Sequence, residues 1–217
     1  MTEKMKKYLR KFLLPHGKDR FLMKINSKGS LLDVGCGNNS PYHIKSMLPD
    51  VYYTGIDIGD YNQEKPNIAD KYILTDPDQF ADTIAGMPDS FDAVISSHNL
   101  EHCNDRDKTL DAMIKALKPG GFIYMAFPTE KSVNFPSRKG TLNYFDDTTH
   151  KENPPDFNKI IKTLNENNIK IIFASRSYKP IFLYLIGFLS EHLSTNKKAT
   201  PFTWAYYGFE AIIWAKK

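Results

Sequence analysis

The 217-residue sequence predicts an α/β fold with a doubly wound sheet, and three observations point there. Short apolar runs suited to strands alternate with helix signals along the chain. The first run ends in an acid and passes straight into a glycine turn, LLDVGCGNN at residues 31–39. The next, residues 51–56, ends on Asp57, 22 residues past Gly35. A chain of this length forms one domain, at most with a small elaboration, and buries a sizeable core.

The elements follow in order. Residues 1–18 place Met5, Tyr8, Leu9, Phe12 and Leu13 on one helical face, so the region up to residue 28 is expected to lie over the site as a lid helix. A basic helix at a membrane surface is the alternative. The continuous apolar run Phe12, Leu13, Leu14 is too short for a secretion signal. In the glycine turn, Gly35 permits positive φ, and Gly37 lets the main chain approach a ligand with no Cβ between them. Ser40 and Pro41 read as N-cap and first helical residue, which aims a helix N-terminus at the ligand's acidic end.

Two glycines alone often serve only the geometry of a turn. Asp57 supplies the acid that a nucleoside site needs for its ribose hydroxyls, about 20 residues on. Residues 71–75 form a third run, ending on Asp76. Residues 91–97, FDAVISS, form a fourth, followed by His98-Asn99-Leu100-Glu101-His102. Leu110, Met113, Ile114 and Leu117 fall at helical spacing, and Lys118-Pro119-Gly120-Gly121 closes that helix. Strands are expected at residues 122–127, 169–175 and near 206–214. The last is preceded by an insertion over residues 176–204 containing the apolar block IFLYLIGFL, residues 181–189. A helix of nine residues cannot cross a bilayer, which takes about 20. The block reads as a buried helix, with a dimer contact or membrane-facing patch as the alternative.

The segments LLDVGCG, YTGID, FDAVISSHNLEH and ALKPGGFIYMAFP, in this order over residues 30–130, resemble class I S-adenosylmethionine-dependent methyltransferases, and jointly they are far more specific than any one alone. The resemblance implies a seven-stranded, mostly parallel, Rossmann-like sheet whose last strand is antiparallel, with S-adenosylmethionine as cofactor and S-adenosylhomocysteine as product. It further implies that Asp33, Gly35 and Gly37 line the methionine end and that Asp57 holds the ribose hydroxyls. Ile58 would pack on the adenine, and Asp76 would bind its amine. Ser97 would offer its carbonyl to the ammonium, with His98 beside it. Asn39 stands where the family has a third glycine; asparagine is one of the few other residues that tolerate the left-handed region.

A dinucleotide oxidoreductase would need a glycine at residue 40, which is Ser40 here. The net charge of +4 is mild for a nucleic-acid binder. Two cysteines without paired metal spacing point to free thiols in a reducing, cytoplasmic compartment. No His, Cys or carboxylate cluster has convincing metal-ligand spacing, so no metal residues are assigned, and metal dependence is left open.

If the acceptor is an alcohol, a base must take its proton. His150, in the polar stretch NYFDDTTH within the acceptor loop of residues 128–155, is the first candidate, since a neighbouring Asp can fix its tautomer; the alternative is a solvated loop histidine. His102 is the second, with a structural role at a helix start as its alternative. Lys131, Arg138, Lys139 and Lys151 suit that loop to a small polar or anionic acceptor. The segment from residue 143 to 180 resembles methyltransferases of bacterial surface-polysaccharide synthesis, which implies O-methylation of a sugar or sugar phosphate. An N-methyltransferase, an RNA methyltransferase and a cofactor-binding subunit without catalysis are the other readings.

Overall fold

The computed structural model describes residues 13–37, 39–60, 65–138, 142–195, 200 and 202–217. Seven strands form one sheet: β1 (Ser30–Val34), β2 (Tyr52–Asp57), β3 (Lys71–Leu74), β4 (Phe91–Ser97), β5 (Leu117–Pro128), β6 (Lys170–Ser175) and β7 (Glu210–Lys216), in the spatial order β3-β2-β1-β4-β5-β7-β6. The first five pair in parallel. β7 runs antiparallel to both of its neighbours, as the resemblance implied.

Successive residues of a strand point to opposite faces, and here both faces are covered. Leu32, Val34, Ile56 and Val94 pack with Leu110, Met113 and Ile114 of helix α4 (Arg106–Ala116), beside α3 (Phe80–Ala85) and α5 (Phe157–Glu166). Leu31, Tyr53, Ile95, Tyr124 and Trp214 meet Phe21 of α1 (Lys18–Leu22) and Ile44 of α2 (Ser40–Met47) on the other face. Fully burying each such leucine, isoleucine or phenylalanine stabilises the fold by about 1.5–3 kcal/mol. His16 belongs to this second core, stacked on Phe173 at 3.6 Å.

Several expectations need correction. α4 ends at Ala116, and Leu117 begins β5 in an extended conformation. Pro119 biases Lys118 away from helical geometry, so Lys118-Pro119-Gly120-Gly121 enters the strand instead of capping the helix. Residues 206 and 207 are helical, in α7 (Thr203–Tyr207), and β7 starts later than predicted. The apolar block forms α6 (Ile181–Ser190), but only Leu183 and Gly187 of it are buried; Ile181 is 66% and Leu189 69% exposed. It packs against α7, and Phe182, Leu185, Ile186 and Phe188 stand exposed beside Ile181 and Leu189. Among the described residues no helix is long and apolar enough to cross a membrane. Met5, Tyr8, Leu9 and Phe12 of the expected lid lie outside the described residues, as does Lys139.

Candidate active site

β2 and β3 lie on one side of β1, and the chain then crosses back to lay β4 on the other. The connections after β1 and β4 therefore diverge, opening the crevice where ligands of open α/β sheets bind. The glycine turn sits there. Gly35, Gly37 and Asn39 have φ of 70°, 52° and 62°, and the Gly35 and Cys36 amides donate to the Ile56 carbonyl at 2.9 and 3.2 Å. An added Cβ at Gly35 would stand 2.2 Å from the Asn99 amide oxygen, whereas at Gly37 it would meet no described atom within 4 Å. Gly37 thus presents bare backbone to open space.

Buried carboxylates hold the turn in shape. Asp33 Oδ2 accepts from the Ser40 hydroxyl at 2.6 Å and the Tyr53 hydroxyl at 2.8 Å. The expected capping role of Ser40 is therefore not observed: Asn39, in the left-handed region, is the N-cap, and Ser40 is the first helical residue. Asp57 Oδ2 accepts from the Gly37 amide at 2.7 Å and Oδ1 from the Ile58 amide at 2.8 Å. Burial raises the Asp57 pKa, and these amides offset only part of the effect.

A cleft of about 770 Å³ opens beside the turn, with Asp57, Ile58, Pro77 and Phe80 at one end and His102 and Thr149 at the other. Gly35, Gly37 and His98 are shared with a second hollow of about 690 Å³, which Asp33, Asn39 and Ser97 also line. The two adjoining hollows together are lined by eight of the nine predicted cofactor residues. Asp76 is exposed and lies outside both walls; Pro77 and Asp78 line the cleft there.

His98, itself at φ 54°, lies between two acids: Nδ1 is 3.1 Å from Glu101 Oε1 and Nε2 2.9 Å from Glu210 Oε1. Burial alone would lower its pKa, but the two carboxylates reverse this and lift it to about 10. Both ring nitrogens are engaged by carboxylates, which leaves neither open to an acceptor's proton.

The two candidate bases differ in access. His102 is on the cleft wall. His150 is not: its side chain is 7% exposed, its ring stacks on Tyr144 with centroids 4.3 Å apart, and its Nδ1 donates to the Tyr144 carbonyl at 2.5 Å. The expected general base therefore stands behind the other histidine, with ring centroids 4.9 Å apart. A neighbouring Asp was expected to orient it, but Asp147 is 3.9 Å from its Nε2, too far for a hydrogen bond. The loop carrying His150 is fixed by Arg106, which donates to the Tyr144 hydroxyl at 3.1 Å and to the Lys151 and Asn153 carbonyls. Glu101, Arg106, Tyr144, Thr149 and Glu210 are the site residues that sequence reasoning did not select. Glu101 carried a local signal from its place in HNLEH, and Tyr144 and Thr149 from theirs in NYFDDTTH.

The family model for a methyltransferase domain matches residues 1–173. The chain belongs to that family. Its sequence is 33% identical over 107 residues to 27-O-demethylrifamycin SV methyltransferase of Amycolatopsis mediterranei, and 34% identical over 103 residues to the ubiquinone biosynthesis O-methyltransferase of Saccharophagus degradans. These alignments take in 46 and 44% of this chain and 39 and 42% of the relatives, so the chain spans well under half of the length of either. The fold is also that of an S-adenosylmethionine-dependent methyltransferase from Mesorhizobium loti, with TM-score 0.61 and 15% identity over 92% of this chain and 97% of that one.

Proposed function

We propose that the protein transfers a methyl group from S-adenosylmethionine to the hydroxyl of a small polar or anionic acceptor. The arrangement of Gly37 and Asp57 carries this reading: an acid at the end of β2, held by the amide of a glycine whose missing Cβ leaves the backbone open to the cleft. Asp57 would accept from the ribose hydroxyls, Ile58 and Pro77 would flank the adenine, and Asp33, Ser97 and the turn would hold the methionine end. Bound there, the cofactor supplies a methyl on a positively charged sulfur, which leaves as a neutral thioether when the acceptor oxygen takes the methyl.

The acceptor oxygen must then lose its proton on the far wall. Thr149 uses its single hydroxyl proton on Asp147 Oδ1 at 2.6 Å, so at 3.0 Å from His102 Nδ1 it can only accept. That arrangement places a proton on His102 Nδ1 and leaves the Nε2 lone pair free. The lone pair is the basic group on the wall, and general-base action is worth roughly 10²- to 10⁴-fold. Lys151, Thr148 and Thr149 beside it suit a sugar or sugar phosphate.

Calorimetric titration with S-adenosylmethionine tests the central claim: binding is expected, with at least a tenfold loss in Asp57→Ala. No binding by the unmodified chain would sink it. Turnover of phosphosugars, nucleotide-linked sugars and small amines then identifies the acceptor, and His102→Ala is expected to slow transfer to oxygen while leaving cofactor affinity unchanged.

A further inference from the structure

One grouping at and behind the cleft wall is unexplained by proton transfer alone. Glu101, His102 and His150 bring one donor atom each to within 4.8 Å of the other two. Glu101 is fully buried; its Oε1 is engaged by His98, and its Oε2 has no hydrogen-bond partner among the described residues. A buried carboxylate oxygen left bare is costly, because it has given up its water without gaining a partner. Both histidines have their Nδ1 proton committed to an oxygen, His102 to Thr149 and His150 to the Tyr144 carbonyl. Their Nε2 lone pairs are therefore free. Each of the three clustered residues thus keeps an electron pair that none of these hydrogen bonds uses.

We propose that Glu101, His102 and His150 bind one divalent first-row transition-metal ion. Two imidazoles and a carboxylate are the donor set of open catalytic sites for such ions, and oriented Nδ1 hydrogen bonds of this kind accompany metal-ligating histidines. Bonds of about 2.0–2.2 Å set ligand atoms roughly 3.4 Å apart in tetrahedral geometry, so closure takes about an ångström of side-chain movement. His102 brings the site to the cleft, where an open position would face the acceptor. This use of the ion rests on the methyltransferase reading. The ion takes up the His102 lone pair and acidifies the bound hydroxyl in its place, the proton leaving to solvent water.

The test uses Co²⁺ as probe on the full, tag-free chain after removal of metal with a chelator and dialysis. One equivalent is expected to bind with visible d–d absorption, with at least a tenfold loss of affinity in His150→Ala and Glu101→Gln. Thr149→Val, which leaves all three ligands in place but frees the His102 ring, is expected to weaken binding about tenfold; it serves if the first two variants fail to fold. No binding of one equivalent, or binding that none of the folded variants alters, would overturn the site. Titration with S-adenosylmethionine in chelator separates the two readings. Cofactor binding without Co²⁺ uptake sinks the metal site alone, and Co²⁺ uptake lost in the variants, without cofactor binding, upholds the metal site and sinks the methyltransferase reading.

Discussion

Gly35 and Gly37 both hold positive φ, yet they resist substitution for different reasons. At either position an alanine in the left-handed region costs about 1–2 kcal/mol. At Gly35 the new methyl also collides with Asn99, adding overpacking of about 1–3 kcal/mol. Gly35→Ala is thus expected to lose about 2–5 kcal/mol in urea denaturation. Gly37→Ala should lose only the backbone strain while weakening cofactor affinity at least tenfold by calorimetry, because its methyl would point into the space the ligand needs. Equal stability losses, with affinity retained in Gly37→Ala, would remove Gly37 from the cradle. At this scale the positive φ at Asn39 was legible from residue chemistry, whereas Asp57 was read for ribose hydroxyls and its bond to the Gly37 amide was not foreseen. The clamp on His98 was not legible either, since Glu210 lies 112 residues away and no local pattern links them. His150 was misjudged for a related reason. A loop histidine's access depends on how the loop folds back, and here Arg106 and Tyr144 draw it inward.

Among the elements, the starts of β1, β4 and β5 are tied at one carboxylate. Asp92 Oδ2 accepts from the Ser30 amide at 2.7 Å, the Ser30 hydroxyl at 2.8 Å and the Lys118 ammonium at 2.9 Å. Burial alone would raise its pKa, but these donors hold it below the ordinary 3.8. The unfolded chain therefore binds the proton more tightly. The contribution is complete at pH values above 3.8 and is lost as pH falls through the lower value of the folded state. Asp92→Asn is expected to cost about 1 kcal/mol at pH 7, given the partial exposure of the pair, and to flatten the fall in stability below pH 4. An unchanged acid profile would discount the tie. The second elemental contact is Gly187 of α6, where an added Cβ would stand 2.5 Å from the Phe202 carbonyl oxygen and 2.9 Å from Tyr206 Cβ. Gly187→Ala should lower the melting temperature by several degrees, as the rigid backbone of α7 cannot yield. The apolarity of this helix was plain in the sequence, but nine nearly continuous apolar residues carry no period from which to read the covered face.

For the molecule as a whole, the alternation of strands and helices conveyed the fold class, and the family resemblance conveyed the seven strands and the antiparallel last one. The extent of the cleft was not legible, because its walls come from five separate stretches of chain that meet only once the sheet reverses direction between β3 and β4. That dependence makes cofactor binding a stabiliser of the assembled fold. A ligand that binds only the folded state at about 100 times its dissociation constant adds roughly 2.7 kcal/mol. In a domain of this size each kcal/mol raises the melting temperature by about 2–4 °C. S-adenosylhomocysteine is therefore expected to raise it by roughly 5–10 °C, as followed by differential scanning calorimetry. Asp57→Ala should cut the shift to about half or less at the same ligand concentration, while Asp92→Asn, at the opposite end of the strands, should start from a lower melting temperature and keep the shift in full. Loss of the shift in both variants would mean that the ligand is sensing global stability and not the crevice between β1 and β4.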